Sequence, residues 1–190
     1  ASLLESADKV ANTASVYGAF LKKIKKTAQK ELILEPAIFE INSHSHEVYN
    51  EDSNLLIKKI EGDILYLDPP YNAREYGANY HLLNTIAKYD NFTPKGKTGL
   101  RDYSKSAFCK KKEVEKSFDD LIKNANFKYI FLSYNNEGIM SSETIKKILS
   151  NYGKYDLLTT EYQRFRADKK ENRNHKASST TEYLHILEKL

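Results

Sequence analysis

The 190-residue chain has one cysteine, Cys109, one methionine and no tryptophan. A lone cysteine excludes a disulfide framework and any zinc site built on cysteine pairs. It also points to a reducing, cytoplasmic compartment. Nowhere do eighteen apolar residues run together, so no segment reads as a membrane-crossing helix. The opening ASLLESADKV lacks the basic region and apolar stretch of a signal peptide. The seven glycines, at 18, 62, 77, 96, 99, 138 and 153, never stand two apart, so no Gly-x-Gly loop exists. The histidines at 44, 46, 81, 175 and 185 show no ligand spacing, and no metal is expected.

What is present is a globular composition: 40% hydrophobic and 29% charged residues. The length suits one domain, or one domain with a small appendage. Charge is unevenly placed. The net charge is +4, yet Lys95 to Lys116 carries a net +5 and Arg164 to Lys176 a net +4. The remainder is therefore slightly acidic. Two basic segments on an acidic body suit contact with a polyanion, and two solvated lysine-rich loops are the plainer alternative.

Apolar spacing predicts a helix over Ser6–Gln29, then two short strands or an irregular excursion over Glu31–Ile41, around Pro36. Asp52 reads as the cap of a short helix, Ser53–Ile60. Asp63–Leu67 is apolar on both faces, which predicts a central strand of a covered parallel sheet. Helices are predicted over Tyr76–Tyr89, Lys110–Asn124 and Ser142–Tyr152, with an exposed loop over Asn91–Lys105. Strands are predicted over Lys128–Ser133, Tyr155–Tyr162 and Thr181–Leu187. Alternation of strands and helices argues an α/β domain with a mostly parallel sheet. The last two strands have no helix between them, which predicts an antiparallel pair at one edge.

The chemistry concentrates in Asp68-Pro69-Pro70-Tyr71. In open α/β sheets ligands sit beyond the carboxyl ends of strands, and Asp68 follows such a strand. Two prolines cannot continue a ladder, so they turn the chain out of the sheet and stiffen it. The turn holds a carboxylate, a carbonyl freed from the ladder and an aromatic ring. That set suits an exocyclic amine on a base: two acceptors for two N–H groups, and a ring to stack on.

These residues carry a resemblance. YLDPPYN (Tyr66–Asn72) resembles the catalytic motif of amino-methyltransferases that use S-adenosylmethionine. REYGANYHLLNTIAKYDN (Arg74–Asn91), FLSYNNEG (Phe131–Gly138), TTEYLHIL (Thr180–Leu187) and VYNEDSNLLI (Val48–Ile57) extend it, in order, to the D12-class, Dam-like adenine-N6 DNA methyltransferases. The resemblance implies a partial Rossmann-like methyltransferase sheet with an antiparallel C-terminal edge strand. It implies a flipped adenine in double-stranded DNA as substrate, and a restriction–modification, nucleoid-associated setting. By the same resemblance Asp68 and the Pro69 carbonyl accept from N6, Pro70 stiffens the turn and Tyr71 stacks on the base. Asp52, Ser53 and Asp68 are then cofactor residues. Asn72, Tyr76, Tyr80, Ser133, Tyr134 and Asn135 line the target pocket, and Arg164, Arg166 and Lys169 contact DNA. No covalent intermediate is needed, so Cys109 is no nucleophile.

Family members also carry a Phe-x-Gly-x-Gly loop before the catalytic motif, and this sequence has none. Residues 1–47 therefore read as the tail of an upstream, target-recognition region, and 48–190 as the C-terminal part of the catalytic domain. An upstream methyltransferase polypeptide, or a second copy of the chain, is the expected partner. Two alternatives stand beside adenine methylation: a non-catalytic DNA-binding remnant or subunit of a split enzyme, and an N4-cytosine or RNA amino-methyltransferase.

Overall fold

The structure, a computed structural model, describes residues 1–12, 22–163 and 179–190. They form two compact units. The first holds residues 1–46 and 74–105, and the second residues 47–73 and 106–190. The chain therefore leaves the second unit directly after the Asp-Pro-Pro-Tyr turn and re-enters it at Ser106.

In the first unit, α1 spans Ser2–Val10, α3 Tyr76–Asn79 and α4 His81–Lys88. The long helix predicted over Ser6–Gln29 is not seen as such. α1 starts earlier and ends at Val10, and Lys26–Gln29 forms a single 3-10 turn; residues 13–21 lie outside the described residues. The helix expected over Tyr76–Tyr89 is broken at Tyr80 and ends in a left-handed Tyr89 (φ 47°). In the loop that follows, Lys95 and Leu100 pair as an isolated bridge, closed by left-handed Gly96 and Gly99. Such φ values favour glycine. Arg101 anchors this loop: it pairs with Asp90 at 2.7 Å and lies over the Phe92 ring at 4.5 Å.

The second unit is built on a four-stranded sheet, order β1-β2-β4-β3. β1 is Glu61–Leu67, β2 Asn126–Asn135, β3 Gly153–Gln163 and β4 Ser179–Lys189. β1 and β2 are parallel, with Leu67 opposite Leu132, and β4 is antiparallel to both β2 and β3. Three helices belong to this unit: α2 (Ser53–Leu56), α5 (Val114–Asn124) and α6 (Ser142–Leu149). The mixed α/β class and the antiparallel terminal pair are as the sequence implied. Among the described residues the parallel part amounts to one pairing.

Burial follows the strand period. Ile130, Leu132, Tyr134 and Leu187 are buried against Val114, Phe118, Leu121 and Ile122 of α5 and Ile145 and Leu149 of α6. The helical residues recur every three or four positions, the stripe expected of a helix laid on a sheet. Residues one step along each strand share the other face: Ile64 and Tyr66, Tyr129 and Phe131, Ile186 and Leu184, and Leu158. That face is open. Ile64 is 63% exposed, Tyr66 61% and Leu158 57%. The expectation that Asp63–Leu67 is a central, doubly covered strand is therefore corrected. β1 is an edge strand here, and its apolar outer residues meet no helix among those described. Its pattern was that of a buried strand, but burial depends on a layer which the described residues do not supply.

The C-terminus locks the sheet to α5. Lys189 Nζ donates to the Ile122 and Lys123 carbonyls at 2.7 and 3.0 Å, satisfying acceptors a helix end leaves orphaned. Gly153 is required where β3 meets β4, since a Cβ there would lie 2.1 Å from the Glu188 carbonyl oxygen.

One buried group makes stability depend on pH. His185 is fully buried on β4, sharing a 2.9 Å hydrogen bond between Nδ1 and the Tyr155 hydroxyl. Burial pushes its imidazole down to about 4, from 6.5. The folded state therefore disfavours the proton, and the contribution is complete above pH 6.5 and is lost as pH falls toward 4. The expected loss from His185 is about 2 kcal/mol between pH 7 and pH 5. Urea unfolding at the two pH values measures it. His185→Leu, whatever its starting stability, is expected to lose that much less than the parent; equal losses would refute the assignment.

Candidate active site

β1 ends at Leu67, and the two prolines turn the chain away from the ladder as expected. Asp68 stands at the rim, exposed. Among the described residues no hydrogen bond or ion pair engages its carboxylate, so both oxygens remain available as acceptors. Asp68, Pro69 and Pro70 line a cavity of about 260 Å³ together with Tyr66 and Leu67 of β1, Ser53 of α2, and Ser106, Phe108, Phe118 and Leu121.

The roof of this cavity is fixed by α2 and α5. Asp52 caps α2, one carboxylate oxygen accepting from the Asn54 and Leu55 amides at 2.9 and 3.2 Å. Asn54 then donates its side-chain amide to the Ser117 carbonyl and to Asp120, both at 2.8 Å. The same bond holds the Asp120 carboxyl below the usual carboxylate range. Ser53 is thereby set over the cavity. Asp52 is in the turn that positions it and is not among the lining residues.

Tyr71 leaves the turn toward β2. Its carbonyl accepts from the Ile139 amide at 2.8 Å and from the Tyr134 hydroxyl at 3.4 Å, and its ring stands edge-on to the Tyr134 ring, centroids 6.3 Å apart. Tyr134 is 2% exposed, and burial raises its phenol above the ordinary tyrosine value. Asn135 is buried too and accepts from the Glu137 amide, shaping the turn after β2. Ser133 lies on the opposite sheet face, beside Leu184. Asn72 is half-buried next to Tyr71.

The candidates thus sort by place. Ser53, Asp68, Pro69 and Pro70 share one cavity, and Tyr71 and Tyr134 share a contact beside it. Tyr76 and Tyr80 belong to the first unit, their rings 5.9 Å apart. Arg164, Arg166 and Lys169 lie outside the described residues. Sequence reasoning missed Ser106, Phe108, Phe118 and Leu121 as cavity walls. Phe118 and Leu121 carried a signal, since they fall on the apolar stripe of a predicted helix. For Ser106 and Phe108, inside the basic segment and just past the predicted loop, no sequence signal existed. Cys109 is buried in the 3-10 turn beside Phe108. No group of residues able to hold a metal ion occurs among those described, nor any helix long and apolar enough to cross a membrane.

Comparison with known proteins adds an independent line. Residues 1–148 match the family described as D12 class N6 adenine-specific DNA methyltransferase. The chain is 70% identical over 189 residues to the type II methyltransferase M.NlaIII of Neisseria lactamica, covering all of this chain and 57% of that protein. It is 43% identical to the type II methyltransferase M.FokI of Planomicrobium okeanokoites, covering all of this chain and 29% of the relative. It is 45% identical to the type II methyltransferase M.CviAII of Paramecium bursaria Chlorella virus 1, covering 88% of this chain and 50% of the relative. The chain thus spans little more than half of these relatives at most. No solved structure matches it.

Proposed function

Because the chain belongs to the D12 class of N6 adenine-specific DNA methyltransferases, we propose that it carries the catalytic half of an S-adenosylmethionine-dependent enzyme that methylates N6 of adenine in double-stranded DNA. The observation that supports this most is the Asp68 carboxylate at the end of β1, without a partner among the described residues and on a cavity shared with Ser53. In this reading Asp68 and the Pro69 carbonyl accept the two N6 hydrogens. Holding both localises the nitrogen lone pair, which is otherwise delocalised into the base, toward the incoming carbon. Tyr71 stacks on the base once it leaves the duplex. Positioning and electrostatics supply most of the rate, with Asp68 close enough to stabilise the charge that develops on N6.

The cavity fits part of the implied cofactor. Its walls combine Phe108, Phe118, Leu121 and Pro70 with the Ser53 and Ser106 hydroxyls, a surface for a planar heterocycle. At about 260 Å³ it falls just below the ~300–1,000 Å³ that encloses a drug-sized ligand, so it suits the adenosine end alone. The methionine end has no glycine-rich loop to receive it. S-adenosylmethionine, when bound, supplies an electrophilic methyl on a sulfonium. Ser53 and Phe118 would hold its base, and Asp68, at the rim of the same cavity, would hold the amine that receives the methyl.

We further infer that the chain works with a second polypeptide segment of the same family, which supplies that loop. The face of Ile64, Tyr66 and Leu158 and the outer edge of β1, both uncovered among the described residues, support this. Apolar area of that kind is ordinarily covered. The basic segment Lys95–Lys116, in which Lys97 and Lys111 are exposed, suits DNA phosphates.

Calorimetry and methylation assays test the reading. The chain alone is expected to bind S-adenosylmethionine weakly. It is expected to methylate DNA once the part of M.NlaIII outside the matched 57% is supplied as a separate polypeptide. Digested product should contain N6-methyladenine. Tight binding with full activity by the chain alone would defeat the second-segment inference. N4-methylcytosine would defeat the adenine assignment, and no methylation in either arrangement would leave the DNA-binding remnant.

A further inference from the structure

The Asp-Pro-Pro-Tyr turn is held at both ends by one strand. Before the turn, Leu67 pairs with Leu132 of β2. After it, the Tyr71 carbonyl accepts from the Tyr134 hydroxyl, two residues further along β2, and from the Ile139 amide in the turn that follows. The Tyr134 hydroxyl is engaged twice: it also accepts from the Met140 amide at 3.3 Å. Both Tyr134 and Met140 are 2% exposed, so neither polar group can turn to water instead. Gly138 makes the arrangement possible. A Cβ there would lie 2.0 Å from the Tyr134 ring, inside any allowed contact.

We propose that Tyr134 is a positioning residue for Tyr71: through its buried hydroxyl it fixes the exit of the catalytic turn, and with it the stacking ring relative to the Asp68 carboxylate. This deepens the methyltransferase reading and rests on it. Tyr134 was expected from the sequence to line the target pocket. Buried among Phe118, Leu132 and Met140 of the core, it acts instead through Tyr71, the residue that reaches the base. Asp68 is anchored through β1 and Tyr71 through Tyr134 and Ile139, so the spacing of acceptor and ring is set by β2 rather than by the four-residue turn alone. A turn stiffened only by prolines would leave its last residue free to swing.

Tyr134→Phe removes the hydroxyl and keeps the ring. Amide hydrogen exchange on the 190-residue chain is expected to speed up about tenfold at Ile139 and Met140, with Leu187 in β4 unchanged. In the arrangement that methylates DNA, kcat is expected to fall about ten- to a hundredfold with KM for S-adenosylmethionine unchanged, because the cofactor cavity does not include Tyr134. Gly138→Ala, which displaces the same ring, should reproduce both effects. Unchanged exchange at Ile139, or faster exchange with an unchanged kcat, overturns the proposal. Faster exchange in a chain for which no arrangement methylates DNA would retain the hold on Tyr71 and sink the methyltransferase reading instead.

Discussion

Asp68→Ala is expected to lower kcat for adenine methylation by about 10²–10³ while leaving the fold intact. The size follows from what the substitution deletes. A carboxylate aimed at a reacting amine acts where charge develops, and removing one such group from a preorganised site costs about that much. The stability expectation follows from place. Asp68 is exposed at a strand end, with no hydrogen-bond partner among the described residues, so truncation leaves no orphaned polar atom and no core void. Substitutions of that kind change stability by about 0.5 kcal/mol or less. Methyl incorporation into duplex DNA and a urea midpoint measure the two quantities together. Asp68→Asn divides the possible roles further. It keeps one acceptor and loses the charge, so an intermediate rate is expected if hydrogen-bond acceptance and charge both contribute. A raised KM for S-adenosylmethionine at unchanged kcat would place Asp68 with the cofactor rather than the base. Retention of more than about a tenth of parental kcat in Asp68→Ala would remove Asp68 from the chemistry altogether.

The catalytic turn was legible because its signals are local. Two prolines after an apolar pentapeptide can only mark a strand end, and the observed β1 stops at Leu67. The terminal hairpin was legible for the same reason: two apolar runs with no helix between them have no crossover available to make them parallel. What escaped the sequence depends on partners distant along the chain. Ile64 and Tyr66 look like core residues in any window, yet whether they are covered is decided by another layer. Tyr134 looks like a pocket residue beside the turn, yet it is buried because Gly138, four positions later, leaves room for its ring. Ser106 and Phe108 reach the cavity only because the chain returns to the second unit after a 32-residue excursion over 74–105. No periodicity encodes that return. The helix expected over Ser6–Gln29 differs where it is described, since α1 already ends at Val10 and Lys26–Gln29 is a single 3-10 turn.

Phe118→Ala carries the largest expected loss of stability, and it also separates the cavity from the core. Phe118 is 1% exposed, lies on the sheet-facing stripe of α5, and is a member of the buried cluster with Ile122, Leu132 and Tyr134. Deleting a ring from such a site removes its transfer free energy and leaves a void, a cost of about 3–5 kcal/mol. A domain with about 5–15 kcal/mol in total loses a large part of its margin, and Tm should fall by on the order of 10 °C. Stability alone does not show that the ring serves a ligand. Leu149→Ala supplies the comparison: Leu149 is equally buried, on α6, and lines no part of the cavity beside Asp68. Its expected cost is about 2–5 kcal/mol, close to that of Phe118. If the cavity takes the cofactor's adenosine, the two variants part company in ligand binding. Near-saturating S-adenosylmethionine, with the second polypeptide present, should raise Tm of Leu149→Ala by as much as it raises the parent, because mass action stabilises whichever fold binds. Phe118→Ala should show little rise, having lost the wall against which the heterocycle packs. Equal rises in both variants would mean that Phe118 is core alone and that the cofactor binds elsewhere. Equal losses of the rise would mean that general loosening of the α5–α6 layer, rather than one ring, governs the site.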